Sequence, residues 1–318
     1  MKAMDKTFGV LAYPHSDNLG DFIQSLAAAQ WLKNEKIQPL DRDQLHDYTG
    51  PQIRLVMNGW FMESPQNWPP SDKIFPLFIS FHLNPTAKKR MLTTEGIAYF
   101  KKHQPIGCRD FYTQNLLQGY GIETYFSACL TLSLNRSNYV SKNQKRKGIY
   151  VISPIERLNP ENDPVPNGFL KKSIRALKKP LKRKRYSQAM QRLQNFLVHQ
   201  NEEVHYSSQL LDPITFSEEE RKEAAKEQLK AIANARLVIT SRIHTALPAV
   251  AFGTPVLFLS DGLEHPNQKS RLEGMESFFP IVNSRDLDQW KSKFPESYQA
   301  HHPFIERFKK EITRFLNE

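Results

Sequence analysis

The segment that decides the fold class of this 318-residue chain is Thr240-Ser241-Arg242-Ile243-His244-Thr245-Ala246-Leu247-Pro248-Ala249-Val250-Ala251-Phe252-Gly253-Thr254-Pro255-Val256. The apolar residues 237–239 lead into it like a buried strand, and an Ala-rich helical run follows. Gly253-Thr254-Pro255 then turns the chain into a second apolar strand at 256–259. This pattern predicts half of a doubly wound α/β unit, in which ligands bind beyond the carboxyl ends of the strands.

Two candidate anion-binding side chains, Arg242 and His244, lie at that predicted ligand-binding edge. The free N–H groups at the start of the following helix add positive potential there. A fixed cation, an imidazole and a helix N-terminus together favour a phosphate or carboxylate ligand. The structural alternatives are a surface ion pair for Arg242, a half-buried, hydrogen-bonded His244, and a helix N-cap for Ser241.

A second polar turn, Asn18-Leu19-Gly20-Asp21, follows a predicted strand at 8–13 and precedes a helix with one apolar face. Asp21 therefore lies in the first turn of a helix at the edge of another parallel sheet, where its alternative role is to stabilise the helix N-terminus. Asn18 and Gly20 would shape this turn, and Gly20 would let a ligand approach the backbone closely.

These turns resemble motifs of the polysaccharide pyruvyl transferase family, and the matching segments run in the family's order over most of the chain. One departure is the pair Ser127 and Ala128, where many members carry Asp-Pro, so any role of an acid at that place is absent here. The matching segments are Asn18-Leu19-Gly20-Asp21, Pro105-Ile106-Gly107-Cys108-Arg109-Asp110, Gly121-Ile122 through Ser127-Ala128-Cys129-Leu130-Thr131-Leu132, and Ser241-Arg242-Ile243-His244.

The order of predicted strands and helices, like the resemblance, indicates an α/β fold with two Rossmann-like doubly wound domains facing across a cleft, a GT-B-like architecture. The expected first domain is 1–135, on the acceptor side. The second is 148–300 and carries the donor site. A polar, basic linker joins them, and an amphipathic helix within 301–318 is expected to pack back on the first domain.

The resemblance implies that the chain forms a pyruvate ketal on a sugar of a surface polysaccharide or its lipid-linked precursor. Phosphoenolpyruvate would be the donor substrate, and no cofactor or metal is expected. The donor carries about three negative charges at neutral pH, so guanidinium groups are needed to bind it.

Catalytic roles follow from this chemistry. Arg242 is expected to clamp the donor carboxylate or phosphate, because its planar fork suits both. His244 is expected to be the general acid, with a pKa near the working pH. Asp21 is the candidate base for the sugar hydroxyl, although the helix dipole would make it a weak one. Arg109 is a second candidate anion ligand, and its alternative is a surface ion pair with Asp110.

Three further residues complete the expected substrate-binding set. Arg271 follows the strand at 256–259, although the Asp261-Gly262 turn also allows it to be an ordinary loop residue. Asn58 follows a predicted strand at 53–57, and Ser241 begins the Arg-x-His element. The two cysteines predict no disulfide framework. Cys108 is expected to be buried, with a nucleophilic role as the alternative because Arg109 adjoins it.

Nearly all of the net charge of +11 comes from Lys171–Arg185, which holds nine basic residues and no acid. Apolar residues recur in it at three- and four-residue intervals, which is typical of a segment lying on an anionic membrane surface. A solvated insertion loop is the alternative. Nucleic-acid binding is not expected, because no nucleic-acid-binding module accompanies the patch. The absence of a signal-like segment and of a membrane-spanning run predicts a cytoplasmic protein, peripheral to the membrane if the basic segment binds lipid.

Two other functions remain open from the sequence. A nucleotide-sugar glycosyltransferase uses the same two-domain scaffold and would also present phosphates to Arg242. A non-catalytic adaptor at the membrane surface would use the basic segment but would leave both crevice motifs without a role.

Overall fold

The computed structural model describes residues 6–33, 35–163, 168–297 and 299–318, apart from the side chains of 169–171, 174, 266 and 267. It confirms the predicted α/β class, with two parallel sheets and helices between the strands. In each sheet, the second strand in chain order pairs with one side of the first strand. The later strands follow on the other side of that first strand. This is a doubly wound order, so each sheet has a switch point beside its first strand, where ligands bind.

The first sheet has the strand order β2-β1-β3-β4-β5-β6, with every neighbouring pair parallel. Its strands are β1 (Thr7–Ala12), β2 (Lys36–Asp41), β3 (Ile53–Phe61), β4 (Ile74–Leu83), β5 (Ile106–Cys108) and β6 (Thr124–Phe126). The helices of this part are α1 (Leu19–Ala29), α2 (Lys88–Met91), α3 (Thr94–Lys102) and α4 (Phe111–Gln118). The edge strands β2 and β6 are missing from the sequence prediction, because a mostly exposed or half-buried edge strand carries no apolar run.

The second sheet has the order β11-β10-β9-β7-β8, again entirely parallel. Its strands are β7 (Ile149–Ile152), β8 (Val204–Ser207), β9 (Leu237–Thr240), β10 (Val256–Leu259) and β11 (Ile281–Val282). The helices that follow are α5 (Phe169–Val198), α6 (Glu218–Asn234), α7 (Ile243–Ala251), α8 (Pro266–Lys269) and α9 (His302–Asn317). All four residues of β9 are buried, as a strand covered on both faces requires.

The basic segment lies in a single helix, α5, of 30 residues. From the sequence, Lys171–Arg185 is either an amphipathic segment on a membrane or a solvated insertion loop, and the structure makes it helical. The helix is long because Lys, Arg, Leu and Gln all have high helix propensity and because only Pro180 interrupts them. Its second half buries Ala189, Leu193 and Phe196 in the core of the second sheet, whereas Leu177 and Leu181 are 81% and 60% exposed.

The two sheets meet through the β1–α1 turn and the segment after β8. The amide of Leu19 donates to the carbonyl oxygen of Gln209 at 2.9 Å, and the amide of Leu211 donates to that of Asp17 at 2.7 Å. Arg221 on α6 is buried and donates to the backbone oxygen of Pro14 at 2.7 Å. These bonds hold the first polar turn of the sequence against the second sheet.

The last helix, α9, packs on the first sheet. Phe308, Ile312 and Phe315 are buried on its apolar stripe, and the ring of Phe315 lies edge-on to Phe8 of β1 with centroids 6.1 Å apart. The chain therefore returns from the second sheet to the first at its end.

Candidate active site

A cleft of about 440 Å³ lies between the carboxyl ends of the two sheets. Its lining is mostly polar, and both parts of the molecule contribute to it, as expected when two switch points face each other. It is lined by Ser16, Asp17, Asn18, Asp21, Trp60, Glu63, Asn84, Thr86, Glu156, Arg157, Asn162, Asp163, Leu210, Arg242, Gln268 and Arg271. A narrower recess continues from it toward His244 and shares Asn18, Arg157, Arg242, Gln268 and Arg271.

Arg242 follows β9 and reaches the cleft, as the sequence analysis expected for the donor clamp. Its guanidinium is engaged by the carboxylate of Glu156, with Nε 2.8 Å from Oε2 and Nη2 also bonded to that oxygen. Arg242 does form an ion pair, the structural alternative to an anion clamp. The pair is largely buried and lies in the wall of the cleft, not on the outer surface. An anion that uses this edge of Arg242 must share it with Glu156.

Arg109 follows β5 and is fully buried, near enough to His244 and Arg271 to lower the pKa of both. None of its three guanidinium nitrogens makes a hydrogen bond to any described residue, and its Nε lies 3.5 Å from Oδ2 of Asp110. The surface ion pair that the sequence left open is therefore wrong, because both side chains are inaccessible. Buried guanidinium groups are normally satisfied by acceptors, so this one indicates an anion site.

His82, at the end of β4, forms a buried pair with Asp110. Its Nδ1 lies 2.5 Å from Oδ2 of Asp110, and Asp110 also caps α4 by accepting from the amide of Thr113 at 2.9 Å. Burial lowers the pKa of His82 to about 4, with Asp110 acting against that shift and Arg109 with it. The pair was not among the expected site residues, since a single histidine after a strand has no distinctive pattern.

His244 begins α7 and is buried, with Nε2 unpartnered within the described ranges. Burial lowers the pKa of His244 well below 6.5, and the cations Arg109 and Arg271 lower it further. The expectation of a pKa near the working pH is therefore wrong. A bound anion would remove part of the cationic effect and favour protonation.

Arg271 lies at the junction of the cleft and the recess, and its Nε makes no hydrogen bond among described residues. Burial lowers the pKa of Arg271 to about 9, and Arg109, Arg157 and Arg242 lower it as well. At neutral pH it remains a cation. Four arginines thus act on one small volume, which gives the site a strong positive potential.

Asp21 is one of the carboxylates that line the cleft. It accepts from the hydroxyl of Ser16 at 2.6 Å and from the amide of Gln24 at 3.2 Å. Burial raises the pKa of Asp21 above its ordinary value, while Arg42 and Arg271 lower it. The net shift of the pKa of Asp21 is upward, in the direction that makes its carboxylate a stronger base.

The order and placement of these elements match one known family. The family model described as polysaccharide pyruvyl transferase covers residues 18–262, from the Asn18 turn through the Arg242 and His244 element. The chain belongs to the polysaccharide pyruvyl transferase family. No curated protein sequence matches the chain closely enough to add to this assignment.

Solved structures are similar to this family member in fold. A crystal structure of an uncharacterised protein from Klebsiella pneumoniae has a TM-score of 0.50 at 12% identity and covers 88% of this chain and 94% of its own. An α-glucosyltransferase crystallised with UDP and DNA gives a TM-score of 0.41 at 9% identity, with 98% and 94% covered. The glycosyltransferase of kitacinnamycin gives 0.33 at 9% identity, with 98% and 96% covered.

Three expected site residues have structural roles in this structure. Ser241 is not the helix N-cap; its hydroxyl donates to the backbone oxygen of Ser153 at 2.8 Å, and Arg242 occupies the cap position. A Cβ atom at Gly20 would come within 2.4 Å of Gln209 and 2.9 Å of His244. Glycine is therefore needed here so that these two side chains can pack against the turn. Asn58 is buried and donates to the backbone oxygen of Gln24 at 2.8 Å, which ties β3 to α1.

Asn18 has a part in joining the domains. Its side-chain oxygen caps α1 by accepting from the amide of Gly20 at 3.1 Å, and it accepts from Nε2 of Gln209 at 2.9 Å. Gln209 in turn accepts from the hydroxyl of Thr245 on α7. Gln209 was missed in the sequence because only the folded chain brings residues 18, 209 and 245 together.

Neither cysteine is placed to act as a nucleophile. Both are buried, and burial raises the pKa of the Cys108 and Cys129 thiols, so the thiolate is disfavoured. Within the described ranges, no cluster of three or more His, Cys, Asp or Glu side chains is arranged to hold a metal ion. Ser127, at the family's acid position, is buried and accepts from the amide of Ser80 at 2.9 Å, so it links the ends of two strands.

Proposed function

We propose that this protein transfers the enolpyruvyl group of phosphoenolpyruvate to two hydroxyls of one sugar and closes a cyclic pyruvate ketal. Membership of the polysaccharide pyruvyl transferase family supports a transferase that acts on a polysaccharide. The observation that carries the donor assignment is the buried guanidinium of Arg109, which lacks a hydrogen-bond acceptor among the described residues.

The donor has two anionic ends, and the site has cations for both. Arg109 and Arg271 serve the buried end, beside His244, and Arg242 and Arg157 serve the end toward the cleft. Charge-assisted bonds from arginine to carboxylate and phosphate oxygens are the strongest hydrogen bonds available for this purpose. A small, highly charged donor fits a narrow cationic recess better than a neutral sugar would.

The acceptor would lie in the wider cleft. Trp60 forms part of its wall and its ring is held by the guanidinium of Arg42, 5.1 Å from the ring centroid. Asp17, Glu63 and Asn84 offer oxygens that bind sugar hydroxyls. Asp21 lines the same cleft, where it accepts the proton of an attacking hydroxyl.

The chemistry requires two proton donations and two proton losses. Protonation of the donor methylene carbon makes the adjacent carbon electrophilic, and the first hydroxyl adds there. Loss of phosphate lets the second hydroxyl close the ketal. His244 gives the first proton, because an anion bound between Arg109 and Arg271 raises the pKa of its imidazole, which burial and these cations otherwise lower.

A direct test is to incubate the purified protein with phosphoenolpyruvate and a panel of p-nitrophenyl pyranosides that carry neighbouring diols. We expect phosphate release that depends on the acceptor, together with the mass gain of one ketal-linked pyruvyl group. Glucosyl transfer from UDP-glucose to the same acceptors, without phosphate release from phosphoenolpyruvate, would favour the nucleotide-sugar alternative.

We also propose that α5 brings the enzyme to an anionic membrane that carries a lipid-linked acceptor. Leu177, Leu181 and Lys184 share one exposed face of the helix, flanked by Lys178. The helix has no acidic residue along its length. Three other basic residues are already paired, Lys179 and Arg183 with Glu161 and Lys182 with Asp163. No helix of the described residues is both long and apolar enough to span a bilayer.

A further inference from the structure

The pair formed by His82 and Asp110 has no role in the chemistry described so far. It lies at the ends of β4 and β5 in the first sheet, whereas His244 comes from the second sheet. The cation Arg109 lowers the pKa of both histidines, and His82 also lowers the pKa of His244. Two imidazoles from opposite sheets therefore lie near one another and near the same buried arginine.

The geometry fixes which nitrogen of His82 is available. Nδ1 is engaged by Asp110 at 2.5 Å, with the hydroxyl of Thr113 at 3.2 Å. Nε2 is buried and makes no hydrogen bond to a described residue. A carboxylate on one ring nitrogen orients the imidazole and stabilises its protonated form, while the other nitrogen exchanges a proton with the substrate.

Asp110 also links His82 to the donor site. The same carboxylate oxygen, Oδ2, lies 3.5 Å from Nε of Arg109. Asp110 therefore contacts both His82 and Arg109. Nε2 of His82 and the guanidinium of Arg109 both lack a hydrogen-bond partner among the described residues. A single phosphate bound beside them would satisfy both groups, and a purely structural His-Asp pair would not explain either.

We propose that His82, oriented by Asp110, is a second catalytic acid that donates a proton from Nε2 to the departing phosphate of the donor. This inference rests on the proposed function. His244 gives its proton to the methylene carbon, and Asp21 takes the proton of the first hydroxyl. As the bond between carbon and the phosphate oxygen breaks, His82 gives its proton to that oxygen, and His244 takes the proton of the second hydroxyl.

The protons balance over one cycle. Two leave the hydroxyls, one becomes part of the methyl group and one leaves on phosphate. His244 ends as it began, and the proton left on Asp21 returns to His82 through solvent. The charged groups that face His82 are Asp110, Arg109, Arg271 and His244, and the ring of Tyr112 lies 6.5 Å from its own. Donor anions at the two arginines favour the protonated imidazole that this step needs.

The test compares His82→Gln with the wild type in steady-state phosphate release and in phosphoenolpyruvate titrations. We expect kcat to fall by about 10²–10⁴-fold, the range for loss of a general acid, with the donor dissociation constant changed much less. The alkaline limb of log kcat against pH should change from a slope of about −2, for two acids, to about −1. Asp110→Asn should lower kcat as well, because asparagine still caps α4 but does not stabilise imidazolium.

Two further measurements separate a catalytic role from a structural one. Added imidazole should restore part of the activity of His82→Ala, and it should have no effect on the wild type. His103→Gln is the matched control, since His103 is half-buried in the same domain and its pKa is also lowered to about 4 by burial; it should keep full activity.

Other outcomes would overturn the inference. Wild-type kcat in His82→Gln would do so, and so would a variant that loses donor binding but turns over normally at saturating donor, which would mean that His82 only positions Arg109. A wild-type protein that neither binds nor turns over phosphoenolpyruvate would instead refute the proposed function itself.

Discussion

The guanidinium of Arg242 is held by the carboxylate of Glu156, with Nε and Oε2 2.8 Å apart, across the edge of the cleft that faces the donor recess. Glu156 comes from the loop after β7, the first strand of the second sheet, and Arg242 follows the adjacent strand β9. The two neighbouring strands at the switch point of this sheet therefore lead to the two partners of one ion pair, the carboxylate of Glu156 and the guanidinium of Arg242. An incoming donor meets a cation that already has an anionic partner.

Replacing Glu156 by glutamine should strengthen donor binding. Loss of one nearby negative charge is worth about 1 kcal/mol at a partly screened distance, or about fivefold in the dissociation constant. Isothermal titration with phosphoenolpyruvate measures this directly. Glu161→Gln is the control, because Glu161 is exposed and pairs with α5. Weaker binding in Glu156→Gln would mean that Glu156 serves to position Arg242.

Donor binding should be accompanied by proton uptake. The pKa values of His82 and His244 are lowered mainly by burial, which favours neutral imidazoles before the donor binds. A bound anion favours their protonation. Titrations at pH 8 in buffers of different ionisation enthalpy should report uptake of protons, and His244→Gln should reduce it. Binding with no proton uptake would contradict the proposed roles of both histidines.

The same lowered pKa values predict how stability depends on pH. An imidazole with a lower pKa in the folded state binds protons more readily in the unfolded chain, so stability decreases as pH falls below about 6.5. Each neutral histidine contributes up to about 1.4 kcal/mol per pH unit down to its folded-state pKa. Urea unfolding from pH 7 to pH 5 measures the slope, and His82→Gln should make it shallower. An unchanged slope in that variant would mean that the environment of His82 is different in solution.

Asp21→Asn should separate chemistry from folding. The pKa of Asp21 is raised by burial, so its ionised form is less stable in the folded protein than in the unfolded chain, and the neutral amide should not lower the melting temperature. Turnover should fall by about 10²–10⁴-fold as expected for loss of a base, while donor affinity is kept or improved. Asp17→Asn, at the same cleft wall, is the comparison. Full turnover in Asp21→Asn would assign the base to another group.

Membrane binding is tested on residues of α5 that are outside the described ion pairs. Changing Leu177 and Leu181 to Ser, and Lys178 and Lys184 to Gln, should release the protein from acidic liposomes. Wild-type binding should weaken as salt rises, because the Debye length falls from about 10 Å at 0.1 M to about 3 Å at 1 M. Lys222→Gln with Lys226→Gln, on exposed α6, is the charge-matched control for the lysine changes. Equal liposome binding by both variants would contradict the proposed contact.

The sequence predicts the central strands and the two polar turns because each carries a local pattern. Buried strands such as β9 are apolar runs, and the turns at Asp21 and Arg242 follow them directly. Edge strand β2 carries no such run. Pairings such as His82 with Asp110, Arg242 with Glu156 and Asn18 with Gln209 depend on which strand lies beside which, and a single sequence does not encode that locally. Burial of Arg109 and the low pKa of His244 are likewise properties of the assembled cleft.

The most direct measurement is a titration of phosphoenolpyruvate into the wild type and into Arg109→Met, with UDP-glucose as the comparison ligand. Asp110 keeps His82 and the amide of Thr113 as hydrogen-bond partners in the variant, so the variant should remain folded, and its melting temperature is measured as the control. Its affinity for phosphoenolpyruvate should be at least about a hundredfold weaker, as expected for two lost charge-assisted bonds, and UDP-glucose should bind neither protein. A well-folded Arg109→Met that binds phosphoenolpyruvate as tightly as the wild type would contradict the account.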